Sequence, residues 1–459
     1  MTTTTQLPGA AITTGPQSWQ ILQREADGRA PLALAGTWFG DGPSTVEVRV
    51  AQEDNGAPVA GCDWRDAEML DDNRWHAALR VPTGGLYRIE TRVRTHSMEW
   101  RNTGDKIWHV AVGDLWIIAG QSNAVGYGHG VVHDPPALGV SLFGGNEIWR
   151  LATHPIFDPT GTKHPANRDG GWVDVSPWLA FAKEIWQRAG VPVGLIPTAL
   201  GGSPLCAWDP GNPDGAYLYD NMLAHVAAAG GRVAGMTWYQ GCSDTGEAQA
   251  ATYLERFARF VAAVRAQYGA ELPVITVQLN RCHDCGPESD RGWAMVREAQ
   301  RQAARTITNV AVAPSTDLPL SDGIHTSAAG NVVLGQRCAL MALGMAYGQE
   351  LPWQPVDVRA AQFIDAERTS LRISFDHVAD HLVFLCMRPA EFTVTDAEGP
   401  VPVTAARVEG TDTVLIELGR PARGETVCHN QYGFNPPCML RDHLQRPVLA
   451  FTDVPVAEA

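Results

Sequence analysis

Positive charge is scarce in this chain: 35 Lys and Arg against 50 Asp and Glu leave a formal net charge of -15. Such a surface repels phosphate backbones and anionic lipid. Nucleic acid and membrane surfaces are therefore excluded as main partners, and an acidic ligand would need a local basic pocket. No apolar run is long enough to span a bilayer. The opening "MTTTTQLPGAAITTGPQ" lacks the basic start and apolar stretch of a secretory signal, so the expected location is cytoplasmic. Cysteine is thin and scattered, nine residues in 459, an odd number without the dense spacing of a disulfide-framed secreted domain. The thiols are expected to be reduced. There is no sequence repeat, phosphate loop or dinucleotide fingerprint, and no cofactor is expected. Oligomeric state is not legible.

What is present falls into three stretches. Residues 1–105 alternate with period two: Val46, Val48 and Val50 oppose Glu47 and Arg49, and Tyr87, Ile89, Thr91 and Val93 oppose Arg88, Glu90, Arg92 and Arg94. That pattern predicts a half-buried antiparallel sheet, an N-terminal β-sandwich domain. Residues 106–350 change to short apolar strands separated by helices, with candidate strands at 115–119, 193–198, 236–239, 273–278 and 310–313. Ser176-Pro177 starts a helix that Gly190 stops, and Tyr253, Leu254, Phe257, Phe260, Val261 and Val264 share one helical face. Strands alternating with helices predict an α/β fold with a parallel sheet. Residues 351–459 return to β-like segments, including 371–375, 382–386, 392–395 and 414–418, a C-terminal β-rich domain.

The chemistry concentrates at strand ends. "GDLWIIAGQSNAVGYG" (113–128) aims Ser122 out of a turn between an apolar strand and a helix, where an open α/β sheet places its ligands. Taken alone, Ser122 reads as a helix cap, but "SDGIHTSAAGN" sets Asp322 and His325 three residues apart. At that spacing the carboxylate can hold one imidazole nitrogen and leave the other free to take a serine's proton. Gly202 in "TALGGSPLCAWDP" and Gln240 in "MTWYQGCSD" offer a backbone and a side-chain N–H to an oxyanion. Gly-Gln-Ser-Asn-Ala also approaches the Gly-x-Ser-x-Gly elbow of α/β-hydrolases, but no His-Gly-Gly-Gly stretch precedes it.

Four motifs, Gly120-Gln121-Ser122-Asn123, Leu200-Gly201-Gly202-Ser203, Trp238-Tyr239-Gln240-Gly241 and Asp322-Gly323-Ile324-His325, together resemble the SGNH hydrolases of the sialate O-acetylesterase type. "WQILQREADG" near the start, "WAMVREAQ" (293–300) and the late "NPPCMLRDHLQRPVLAF" extend the likeness along the chain. The resemblance implies an SGNH, flavodoxin-like core flanked by β-domains, acting on an acetylated carbohydrate. It implies Ser122 as nucleophile, His325 as base, Asp322 as its partner, and an oxyanion hole of Ser122, Gly202 and Gln240. It also implies sialate O-acetyl esters as substrate. Acetyl xylan is the alternative substrate, and a non-catalytic carbohydrate-binding protein is the reading of another class, against which the joint presence of Ser122, Asp322, His325, Gly202 and Gln240 argues. Where such proteins often carry Glu after Gln-Gly, Cys242 stands, and Asp317 is a second possible partner for His325.

The 281–293 loop, "RCHDCGPESDRGW", should border the site. Arg281 or Arg291 is expected to meet a substrate carboxylate, and of Trp172, Trp178 and Trp208, which lie near the motif loops, Trp208 is expected to stack on a sugar. Cys282, His283 and Cys285 look like half a metal site, but no second pair completes four ligands, so no metal is expected.

Overall fold

The computed structural model describes residues 9–40, 42–97, 99–170, 172–385 and 391–459. The central sheet runs in the order Trp149–Leu151, Val140–Phe143, Val193–Pro197, Asn102–Gly120, Gly235–Tyr239, Val274–Val277, Val310–Ala313. All neighbours pair in parallel except the edge strand Trp149–Leu151. The five expected strands are all in this sheet. Two were missed: Val140–Phe143, only four residues long, and its antiparallel partner, which carries the polar Arg150. The helices Trp178–Ala189, Tyr253–Tyr268, Asp290–Thr306 and Ala328–Met345 bury one face each against the sheet, and Gly190 ends the first in the left-handed conformation. Continuous apolar strands such as Leu115 to Ala119 have no polar face because helices cover both sides of the sheet.

The N-terminal alternation is realised. Val46, Val48 and Val50 are buried in a strand, Ser44–Gln52, that pairs antiparallel with Gly84–Thr95. Glu47 and Glu90 are buried as well, because Arg92 and Arg94 pair with the first and Arg49 and Arg88 with the second. The chain does not break at 105/106, however. One 19-residue strand, Asn102–Gly120, pairs with Gly84–Thr95 along its first half and becomes the middle strand of the parallel sheet along its second.

Three separate hydrophobic clusters result: one from Ala10 to Val112, one centred on the parallel sheet, and one from Val356 to Val456. The last fills an eight-stranded sheet that includes Asp357–Phe363, Ser370–Asp376 and Thr413–Leu418. The expected strand at 382–386 is observed as Leu382–Phe384, and Cys386 lies outside the described residues. No described helix is long and apolar enough to cross a membrane.

Candidate active site

The strand order reverses at Asn102–Gly120, since the chain continues to one side of it and then to the other. At such a switch point the carboxyl ends of neighbouring strands diverge and leave a crevice. Gly120 ends that strand at φ +132°, and a Cβ there would sit 2.2 Å from the carbonyl oxygen of Tyr239. Only glycine lets the strands approach this closely before the chain turns. The four-residue helix Ser122–Val125 follows, so Ser122 emerges at its first turn, where backbone N–H groups lack intrahelical acceptors.

His325, 203 residues later, comes to the same place: its Nε2 is 2.9 Å from Ser122 Oγ. Its Nδ1 is 2.7 Å from Asp322 Oδ2, while Asp322 Oδ1 accepts the N–H groups of Ile324 at 2.8 Å and His325 at 2.7 Å. Burial pushes the Asp322 carboxyl up, but these bonds and the imidazole outweigh it and hold the group below the usual carboxylate range. Asp317 is not the partner; it forms a two-pronged pair with Arg337 at 2.7 Å.

Two asparagines fix the loop. Asn123 accepts the Thr326 N–H at 3.0 Å and donates to the Ile324 carbonyl at 3.2 Å, while Asn280 donates to the same carbonyl at 2.7 Å. Asn123 was visible in the sequence as the residue after the serine; Asn280, one strand away, carried no local signal. The Tyr127 ring stacks on His325 at 4.9 Å, and its hydroxyl donates to Asp169 at 3.4 Å. Asp169 also accepts the Gly201 N–H, and burial raises its pKa. Gly202, exposed at φ +65°, keeps a backbone N–H that no acceptor reaches among the described residues.

Gln240 departs from expectation. Its amide is fully buried and donates to Asp244 at 2.6 Å and to the Ser203 carbonyl at 3.1 Å, with its oxygen accepting from Tyr253. It braces the Ser203 loop rather than offering a free donor. Asp244, which also accepts the Leu205 N–H at 2.8 Å and pairs with Arg256, supplies the buried carboxylate that the sequence reading missed at Cys242. The Cys242 thiol is pushed up to about 12 by burial, as an inert space-filling group would be.

The family model described as "Carbohydrate esterase, sialic acid-specific acetylesterase" matches residues 112–344, more than half of the chain. The chain belongs to this carbohydrate esterase family. Among solved structures, XAC1771, a novel carbohydrate acetylesterase from Xanthomonas citri, shares the fold at 22% identity and TM-score 0.64, covering 96% of this chain and 99% of that one. A protein from Arabidopsis thaliana aligns at 25% identity and TM-score 0.43, over 50% of this chain and 98% of its own. NanS aligns at 15% and 0.38, over 50% and 96%. A search of curated proteins finds no match.

The expected sugar-binding residues of this carbohydrate acetylesterase fare less well. Trp208 is 0% exposed, its indole edge-on to Trp238 at 5.3 Å and its N–H on Ser203, so it is core. Arg291 pairs with Glu247 at 3.5 Å and borders a groove of about 850 Å3 between the helix Asp290–Thr306 and the C-terminal sheet, which none of Ser122, Asp322 and His325 lines. Arg281 turns its guanidinium to the Leu318 carbonyl at 3.2 Å. Cys282 and Cys285 are not reduced: a tight turn brings their Cα atoms to 5.8 Å, within bridging range, and they form a disulfide. The disulfide loop abuts the site, with the His283 N–H on the Gly323 carbonyl at 2.6 Å and the Cys282 N–H on that of Phe434 at 2.9 Å.

The exposed aromatic near the site is Trp172, 73% exposed. Its segment is held by the bridge between Gly128 and Val175. The Trp172 indole lies 6.5 Å from the ring of His129, two residues after the Tyr127 whose ring stacks on His325.

Proposed function

We propose that the chain is a serine O-acetylesterase of carbohydrates in which Ser122, His325 and Asp322 form the catalytic triad. One observation carries this reading: Ser122 Oγ and His325 Nε2 lie 2.9 Å apart with Asp322 on the far ring nitrogen. A serine hydroxyl is a weak nucleophile until a base takes its proton. His325 accepts that proton as Oγ attacks the acetyl carbonyl, then returns it to the departing sugar hydroxyl. Water, deprotonated by the same imidazole, releases acetate from the acyl-enzyme. The oxyanion is held by the N–H groups of Ser122 and Gly202, each worth about 2.7–4 kcal/mol in a comparable hydrolase. Residues 106–350 are read as an SGNH core between β-domains, with the first junction inside the strand Asn102–Gly120.

The family points to sialate O-acetyl esters. A second reading, a neutral acetylated polysaccharide such as xylan, is favoured by the acidic neighbourhood: Asp169 on the Gly201 turn, Asp284 against Gly323, and Arg281 and Arg291 engaged elsewhere. Trp172, with the His129 ring edge-on to it, supplies an aromatic shelf for a sugar ring in either case. Turnover of p-nitrophenyl acetate by wild type and Ser122→Ala tests the mechanism, and equal rates would overturn it. Mass spectrometry of products from acetylated sialic acids and acetylated xylo-oligosaccharides decides the sugar.

A further inference from the structure

The antiparallel pair Leu382–Phe384 and Leu440–Asp442 places Leu382 opposite Asp442, so the next positions outward, His381 and His443, face each other across the ladder. The His443 N–H donates to the His381 carbonyl at 2.9 Å, and the two rings lie 5.4 Å apart at a tilt of 42°. Residues directly opposite on such a pair present their side chains to the same face. Asp380 completes the group: its Oδ2 is 3.0 Å from His381 Nδ1 and 4.0 Å from His443 Nδ1, and one donor atom from each residue lies within 4.8 Å of the others.

The backbone beneath is braced. Asp442, fully buried, accepts the Ala379 N–H at 3.2 Å on one limb and the Arg446 N–H and guanidinium at 2.6–3.0 Å on the other. Asp442 is thereby spoken for, while Asp380, His381 and His443 carry no partner but one another among the described contacts. We propose that Asp380, His381 and His443 form a binding site for a divalent transition metal of the zinc class. Two imidazoles and a carboxylate suit zinc, nickel or copper, whereas calcium and magnesium prefer all-oxygen shells. With metal bonds of about 2.0–2.2 Å, the donors need only close by side-chain rotation. Water fills the remaining positions. Two strands of the C-terminal sheet region are then tied at their ends, independently of Ser122 and His325.

The test uses the full chain, stripped with a chelator and titrated with zinc chloride by calorimetry. We expect about one equivalent bound, with His443→Asn and Asp380→Asn each weakening it by about tenfold or more and leaving p-nitrophenyl acetate turnover unchanged. Zinc should also raise the melting temperature of wild type and not of His443→Asn. Equal zinc affinity in wild type and both variants would overturn the proposal. So would crystals grown with equimolar zinc whose anomalous difference map shows no peak between these three side chains.

Discussion

Replacing Asp322 by Asn separates the geometry of the proposed triad from its proton bookkeeping. The Asn side-chain oxygen can still accept the two backbone N–H groups that Asp322 Oδ1 takes at 2.7 and 2.8 Å, so the loop should keep its shape. The amide nitrogen, however, would face His325 Nδ1, where the carboxylate now lies at 2.7 Å. The ring must then present Nδ1 as an acceptor and carry its proton on Nε2, pointing a donor at Ser122 instead of a base. In a serine protease with a buried aspartate this inversion costs about 10⁴ in kcat. Here the Asp322 side chain is 42% exposed, so the charge it contributes is screened and the tautomer effect dominates. We therefore expect kcat to fall by about 10³, or about 4 kcal/mol in the barrier, with KM and melting temperature nearly unchanged. Initial rates on p-nitrophenyl acetate and thermal melts measure this. Asp322→Asn retaining a large share of wild-type kcat would refute the reasoning, as would an equal loss in Asp317→Asn, whose carboxylate serves Arg337.

Other outcomes follow from the same contacts. Glu391 is buried and its pKa is raised to about 7, burial outweighing the N–H groups of Met439 and Leu440. Its proton is held more tightly folded than unfolded, so stability falls as pH rises from about 4.5 through about 7, by about 3 kcal/mol; melts at pH 5 and 8 should show Glu391→Gln gaining on wild type only at the higher pH. Gly120→Ala, with its Cβ 2.2 Å from the Tyr239 carbonyl, should abolish soluble folded protein, read by expression and circular dichroism. Trp208→Ala should cost about 3–5 kcal/mol of stability in denaturant melts. Trp172→Ala should leave stability alone and raise KM for acetylated oligosaccharides but not for ethyl acetate.

The sequence alone located the five core strands at 115–119, 193–198, 236–239, 273–278 and 310–313 and two of the covering helices, and it singled out Ser122, Asp322 and His325, which the fold brings together. Strand and helix periodicities are local, and Ser122 and the Asp322–His325 pair sit in short stretches whose turn chemistry is written in neighbouring residues. Only the tertiary structure decided which polar groups stay free. Gln240 looked like a donor until Asp244 and Ser203 were found to hold its amide, and Trp208 looked like a platform until the Trp238 ring closed over it. Asn280 gained its place from a loop far away in the chain, and of the tryptophans near the motif loops only the fold tells the exposed Trp172 from the buried Trp178 and Trp208. The reason is physical: a side chain's availability depends on what packs against it, and those partners are chosen by the fold, not by adjacent residues.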